Sequence, residues 1–146
     1  AQLLAEVLGG QLFTHRQKEI GWYPVRKTPE GESSPLLHSV PDRFLTFHWH
    51  SDHFLLPEGA QRLAASDCSE NQAFSHPAYP ILGLQFHPEY TREMVGHFAR
   101  EFGSDWTPGP FVAGKERTLS RIETVADTYW LMEKILDNME KAWSST

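Results

Sequence analysis

The chain has 146 residues, enough for one domain with a real core. Its 40% hydrophobic and 22% charged residues are ordinary for a globular protein, and a net charge of −6 without any Lys/Arg cluster argues against a nucleic-acid surface. No apolar run nears the roughly 20 residues a membrane helix needs, none reads as a signal peptide, and the one cysteine, Cys68, excludes an internal disulfide and points to a reducing cytoplasm.

The chain opens on AQLLAEVLGG, with Leu3, Leu4, Val7 and Leu8 at helical spacing and a Gly9-Gly10 stop. No capping residue or initiator Met precedes it, so it reads as starting inside a helix, with either a tag or an upstream segment removed or a larger domain around it expected. QLFTH and EIGWYPVRKT read as strands, and PEGESSP (29–35) as a turn-rich loop. DRFLTFHWH (42–50) alternates as a strand, with Phe44, Thr46 and His48 on one face and Leu45, Phe47 and Trp49 on the other. QRLAAS, NQAFS and ILGLQF are three more short strands. REMVGHFAREF (92–102) reads as a helix with Met94, Val95, Phe98 and Phe102 inward. SDWTPGPFVAG is a Pro/Gly linker. TLSRIETVADTYWLMEKILDNMEKAW then reads as one long amphipathic helix, with Ile122, Val125, Tyr129, Met132, Leu136, Met139 and Trp143 inward. Helices flank a strand-rich middle, so the fold class is α/β.

The apolar strand ILGLQF runs straight into His87, Pro88 and Glu89. Open α/β sheets carry function outside the carboxyl ends of their strands. An imidazole can move protons near neutrality. A carboxylate on its far nitrogen would fix its tautomer and stabilise the imidazolium, as in any nucleophile–base–acid triad. Pro88 biases His87 toward extended geometry, in which residues i and i+2 point the same way. On these residues alone a second reading stays open, with His87 a loop residue and Glu89 the first-turn acid of the next helix.

GLQFHPEYT, HWHSDHFLLPEGAQRLAAS some forty residues before it, and AQLLAEVLGG at the start stand in a fixed order. Together with KEIGWYPV and NQAF they resemble class I glutamine amidotransferases, in the stand-alone branch similar to the glutaminase part of GMP synthase. The resemblance covers residues 1–103, which it implies are the C-terminal part of the amidotransferase domain. Residues 104–146 would be a linker and a C-terminal amphipathic helix packed on the same domain. The implied fold is three-layer, doubly wound and flavodoxin-like, incomplete at its N-terminus.

The implied activity is hydrolysis of the glutamine side-chain amide by a Cys-His-Glu triad, with ammonia passed to an acceptor in the cytoplasm. His87 and Glu89 match the family's His and Glu. Gln2 matches the glutamine of a Cys-x-Gly-x-Gln nucleophile turn and would bind substrate. Trp49, His50 and Ser51 match the stretch lining the substrate's amino-acid end, where His50 and Asp52 could instead brace the loop. The nucleophile would fall three residues before Ala1, so this chain by itself is expected to be inactive. The missing part would lie upstream, on a second chain, or be replaced through a homodimer. No metal or organic cofactor is implied. Cys68, in the polar turn SDCSEN, lacks the strand-to-helix setting and small neighbours of a nucleophile elbow.

Two other function classes fit parts of the sequence. HWHSDH supplies His48, His50, Asp52 and His53 at the H-x-H-x-D-H spacing of metallo-β-lactamase-like zinc hydrolases. Bulky Phe54, Leu55, Leu56 and Pro57 follow where such enzymes carry small residues, and later ligands are sparse. A non-catalytic partner or dimerisation module is the other alternative, in which the final helix would expose Trp130 and Trp143.

Overall fold

The computed structural model describes residues 1–144, with no description of the His15 and Arg16 side chains. A short helix α1 (Gln2–Val7) ends at Gly9, whose φ of +92° suits glycine. A Cβ on Gly10 would lie 2.6 Å from the Leu55 carbonyl oxygen, so the second glycine lets the chain turn tightly into the sheet. QLFTH and EIGWYPVRKT prove to be one strand, β1 (Gln11–Lys27), paired antiparallel with β2 (Arg43–Leu55). The register shifts between Thr14 and Glu19, so β1 loops out there and resumes with Glu19 opposite His50.

Residues 29–35 are more ordered than a loop. Thr28 caps a single helical turn, α2 (Pro29–Ser33), by accepting from the Gly31 N–H at 3.1 Å, and a 3-10 turn Pro35–Leu37 follows. Strands β3 (Gln61–Ala65), β4 (Ala73–His76) and β5 (Tyr79–Leu84) complete a five-stranded sheet of order β2-β1-β3-β4-β5, antiparallel throughout. Helices α3 (Arg92–Glu101), α4 (Lys115–Ser120) and α5 (Val125–Trp143) follow. No helix among the described residues is long and apolar enough to cross a membrane.

Side chains alternating along β2 feed two separate cores. On one face Val25, Leu63 and Phe86, with Phe44 against them, pack on Leu131 and Ile135 of α5. On the other, Trp22, Phe47 and Tyr90, with Leu45 and Trp49 against them, pack on Val95 of α3 and on Val125. The result is three layers, helix on sheet on helix, which is the α/β class expected.

The terminal helix differs from its sequence reading in two ways. It is broken: the Thr118 carbonyl accepts from the Trp22 indole N–H at 3.0 Å, and a 3-10 turn Ile122–Thr124 separates α4 from α5. Its inward face is also rotated. Val125, Thr128, Leu131, Ile135 and Asn138 are buried, while Tyr129 and Leu136 are 40% and 48% exposed. Polar Asn138 belongs inside because its amide donates to the Leu36 and His38 carbonyls at 3.2 and 2.8 Å. Ile122, Val125, Met139 and Trp143 do pack on the two cores as their spacing predicts, and Trp130 is exposed. In α3 the buried positions are Val95, Gly96 and Ala99, and Met94 and Phe102 face outward. In α1 it is Ala5 that is buried, while Leu3 and Val7 lie in the open.

The Pro/Gly linker is pinned. Ile20 donates to the Phe111 carbonyl, Ala113 donates to that of Ile20, both at 2.9 Å, and Ile20 and Val112 form the one parallel bridge found among the described residues.

Candidate active site

Beyond β5 the chain bends at Gln85 and Phe86. Phe86 is buried against Phe44 with ring centroids 5.5 Å apart, and the His87 N–H donates to the Phe47 carbonyl at 2.8 Å. These two anchors bring His87 to the end of the sheet. A turn at Pro88–Glu89, rather than an extended tripeptide, swings Glu89 back, so that its Oε1 lies 2.8 Å from His87 Nδ1. Tyr90 stacks on the imidazole with centroids 4.5 Å apart, and Thr91 caps α3 by accepting from the Met94 N–H.

With Nδ1–H donating to Glu89, the lone pair of His87 Nε2 is left available. The two side chains are 28% and 47% exposed, so reactants can approach them. Partial burial, the largest single influence, raises the Glu89 carboxyl pKa, but the hydrogen bond with His87, a backbone hydrogen bond and the attraction of the imidazole together outweigh it and hold the group below its ordinary value. The start of α1 lies within electrostatic range of Glu89.

Gln2 donates from Nε2 to the Asp52 carbonyl at 3.1 Å. Trp49 lies in an aromatic cluster, edge-on to Trp106 at 5.0 Å and to Phe98 at 5.3 Å. Trp49, His50 and Ser51 line a cavity of about 90 Å³ together with Lys18 and Asp105, which pair at 3.0 Å. The His50 ring is buried and turned to the interior, where its Nε2 lies 3.1 Å from Glu19 Oε2. Asp52 turns its carboxylate to Thr14 Oγ1 at 2.9 Å.

Glu19 is the residue that sequence reasoning missed. It is 1% exposed, and its Oε2 accepts from Gln72 Nε2 at 2.6 Å, from Ser66 Oγ at 3.1 Å and from His50. Burial raises its pKa, and the neighbouring His48, His50 and Ser66 lower it further than that, leaving a net depression. The available signal was a lone acid inside the otherwise apolar run EIGWYPV.

The hydrolase spacing does not assemble its expected ligands. Glu19, His48 and His50 are the three groups with ligating atoms within 4.8 Å of one another among the described residues, whereas Asp52 points away. Gln85 Nε2 donates to the Asp52 carbonyl at 2.8 Å and faces His50 Nδ1 at 3.2 Å. An amide nitrogen has only N–H to offer, so Nδ1 accepts and His50 Nε2 carries the proton given to Glu19. That nitrogen has no lone pair left for a metal.

Cys68 sits in the turn between β3 and β4, its N–H donating to Ser66 Oγ. Burial and then the Glu19 carboxylate push its thiol up to about 12.

The family model for class-I glutamine amidotransferases matches residues 1–101. The chain belongs to this family. The amidotransferase chain is 31% identical over 134 residues to the glutamine-hydrolysing GMP synthase of Pelodictyon phaeoclathratiforme, a match covering 82% of the chain and 26% of that protein. It superposes on a glutamine amidotransferase from Thermotoga maritima with TM-score 0.76 and 28% identity, covering 94% of the chain and 58% of the other. A glutamine amidotransferase from Methylobacillus flagellatus gives TM-score 0.85 at 24% identity, with 96% and 59% covered, a likeness of fold. The amidotransferase fold expected from the sequence is therefore the one found, and this chain carries an antiparallel share of it. The chain spans less than two thirds of the length of each of these three proteins.

Proposed function

We propose that this amidotransferase chain contributes the base and its orienting acid to a glutaminase centre, with His87 and Glu89 as two members of a Cys-His-Glu triad. The observation that carries this reading is the 2.8 Å contact between His87 Nδ1 and Glu89 Oε1 at the end of β5, with Nε2 available beside the start of α1. The substrate is glutamine. A cysteine thiolate attacks the side-chain amide carbon, and the imidazolium gives its Nε2 proton to the departing nitrogen, releasing ammonia. His87 then takes a proton from the water that attacks the thioester, and glutamate leaves. Glu89 holds the tautomer and stabilises the imidazolium in both halves.

The thiol is proposed to enter at the N-terminal end of α1, from sequence joined to it or from another chain. Cys68 is set aside because its thiol lies far up the scale. Gln2, Trp49 and Ser51 are proposed to contact the amino-acid end of glutamine, with His50 bracing that segment from beneath. Residues 104–146 are proposed to complete the same domain. The ammonia goes to an acceptor, and the reaction belongs in the cytoplasm.

The test is glutamate and ammonia release. The 146-residue chain alone is expected to give none above background. A form joined to a nucleophile-bearing upstream segment is expected to turn over, and His87→Ala in that form to lose on the order of 10²-fold or more. Turnover that survives His87→Ala, or turnover by the unextended chain that vanishes in Cys68→Ser, would overturn the assignment.

A further inference from the structure

Glu19 is a buried carboxylate facing no Lys or Arg among its described partners; it is held by Ser66, Gln72 and two histidines. Burying such a group costs several kcal/mol unless donors surround it. Its position at the head of a directional chain of hydrogen bonds accounts for it. Glu19 Oε2 accepts the His50 Nε2 proton at 3.1 Å. That fixes the His50 Nδ1 lone pair toward Gln85, whose amide nitrogen lies 3.2 Å away. The second N–H of the same amide reaches the Asp52 carbonyl at 2.8 Å. Gln2 of α1 donates to that carbonyl too, at 3.1 Å. The Asp52 oxygen is thus a junction on which two elements hang, the end of β5 and the start of α1.

Gln85 stands two residues before His87, and its own N–H donates to the Gln72 carbonyl at 2.9 Å. Gln72 in turn donates its side-chain amide to Glu19. The amide of Gln85 is therefore held by both its backbone and the acceptors it serves.

We propose that Gln85 is a positioning residue for His87, oriented by the Glu19–His50 pair, and that it holds the His87 segment and α1 in a fixed relation through the Asp52 carbonyl. For catalysis the inference rests on the glutaminase reading, since the value of that relation lies in bringing a base to a nucleophile at the start of α1. Displacement by about 1 Å of a positioned group costs on the order of 10²-fold in rate. The Gln85 amide nitrogen is engaged with the Asp52 carbonyl and His50 Nδ1, so its effect on His87 passes through the backbone and through Asp52.

The first measurement needs no substitution and no turnover. In the ¹⁵N-labelled chain, His50 is expected as the Nε2–H tautomer. A through-hydrogen-bond coupling should join Gln85 Nε2 to His50 Nδ1. A His50 Nδ1–H tautomer, or no such coupling, overturns the relay. The second measurement uses Gln85→Met, which keeps the volume and removes both donors. Nuclear Overhauser contacts between the turn that carries His87 and the start of α1 are expected to weaken while the His87–Tyr90 stacking contacts stay, an effect that loss of stability alone would not produce. A folded Gln85→Met chain that keeps the parent's contacts between that turn and α1 overturns the proposal.

In the form joined to its nucleophile segment, Gln85→Met is expected to lower kcat by about tenfold or more, with KM within about twofold. A raised KM at unchanged kcat would assign Gln85 to substrate binding instead and overturn the positioning role. If the joined form shows no turnover at all, the glutaminase reading fails while the two spectroscopic arms still decide the relay.

Discussion

Burial and the Glu19 carboxylate set the Cys68 thiol near 12, so at pH 8 the thiolate fraction is on the order of 10⁻⁴. Alkylation by iodoacetamide at pH 8 is expected to run at least about 100-fold slower than for free cysteine. Labelling at the free-cysteine rate would show a reactive thiol. A second residue-scale consequence concerns His48, fully buried, whose ring nitrogens make no well-formed hydrogen bond among the described residues. Burial drives its pKa down from 6.5 to about 4, and the attraction of Glu19 opposes this without reversing it. The unfolded chain takes up that proton near 6.5 and the folded chain only near 4. Between those values the unfolded state binds more protons, so stability falls as pH falls. The His48 contribution to that loss is roughly 3 kcal/mol at most. Urea unfolding at pH 7 and pH 4.5 should show the decline, and His48→Met, which has nothing to protonate, should remove most of it.

At the scale of elements, α5 gives a sharp test because its buried face is rotated relative to its hydrophobic pattern. Ile135 is fully buried and Leu136 is half exposed. Ile135→Ala is expected to cost about 2–5 kcal/mol and Leu136→Ala within about 0.5 kcal/mol. Equal losses in thermal unfolding would put the helix in the other phase. The sequence carried the strands well, since Phe44, Thr46 and His48 alternate with Leu45, Phe47 and Trp49 and do face two cores. It also carried the nearness of His87 to Glu89, because two residues across a proline cannot stray far. It did not carry the phase of α5, since only the Leu36 and His38 carbonyls, about a hundred positions away, make Asn138 an interior residue. Nor did it reveal the Glu19 group. Gln72 lies 53 positions from Glu19, and the looped-out stretch of β1 that sets Glu19 opposite His50 leaves no mark in periodicity. His50 stood out as a residue, but the direction of its ring is a tertiary fact.

For the whole molecule, the family match ends at residue 101, yet the packing does not. Leu131 and Ile135 complete the core that holds Val25 and Phe86, and full burial of such a side chain is worth about 1.5–3 kcal/mol. A fragment of residues 1–101 is therefore expected to lose cooperative unfolding by calorimetry, and a sharp two-state transition in that fragment would make the tail a separate unit.

The seam between tail and sheet turns on Gly21, whose φ is +115°. A Cβ there would lie 2.6 Å from the Ala113 Cβ and 3.0 Å from Thr118 Oγ1. The tail thus closes on β1 like a key in a lock whose keyhole is one missing methyl group. Flanking residues depend on the same fit: Ile20 exchanges hydrogen bonds with Phe111 and Ala113, and Trp22 finds the Thr118 carbonyl. A single methyl at position 21 would therefore lever out all of these together and loosen the backbone around the already exposed Arg117 and Arg121 until trypsin could cut there, while the five strands kept their pairing.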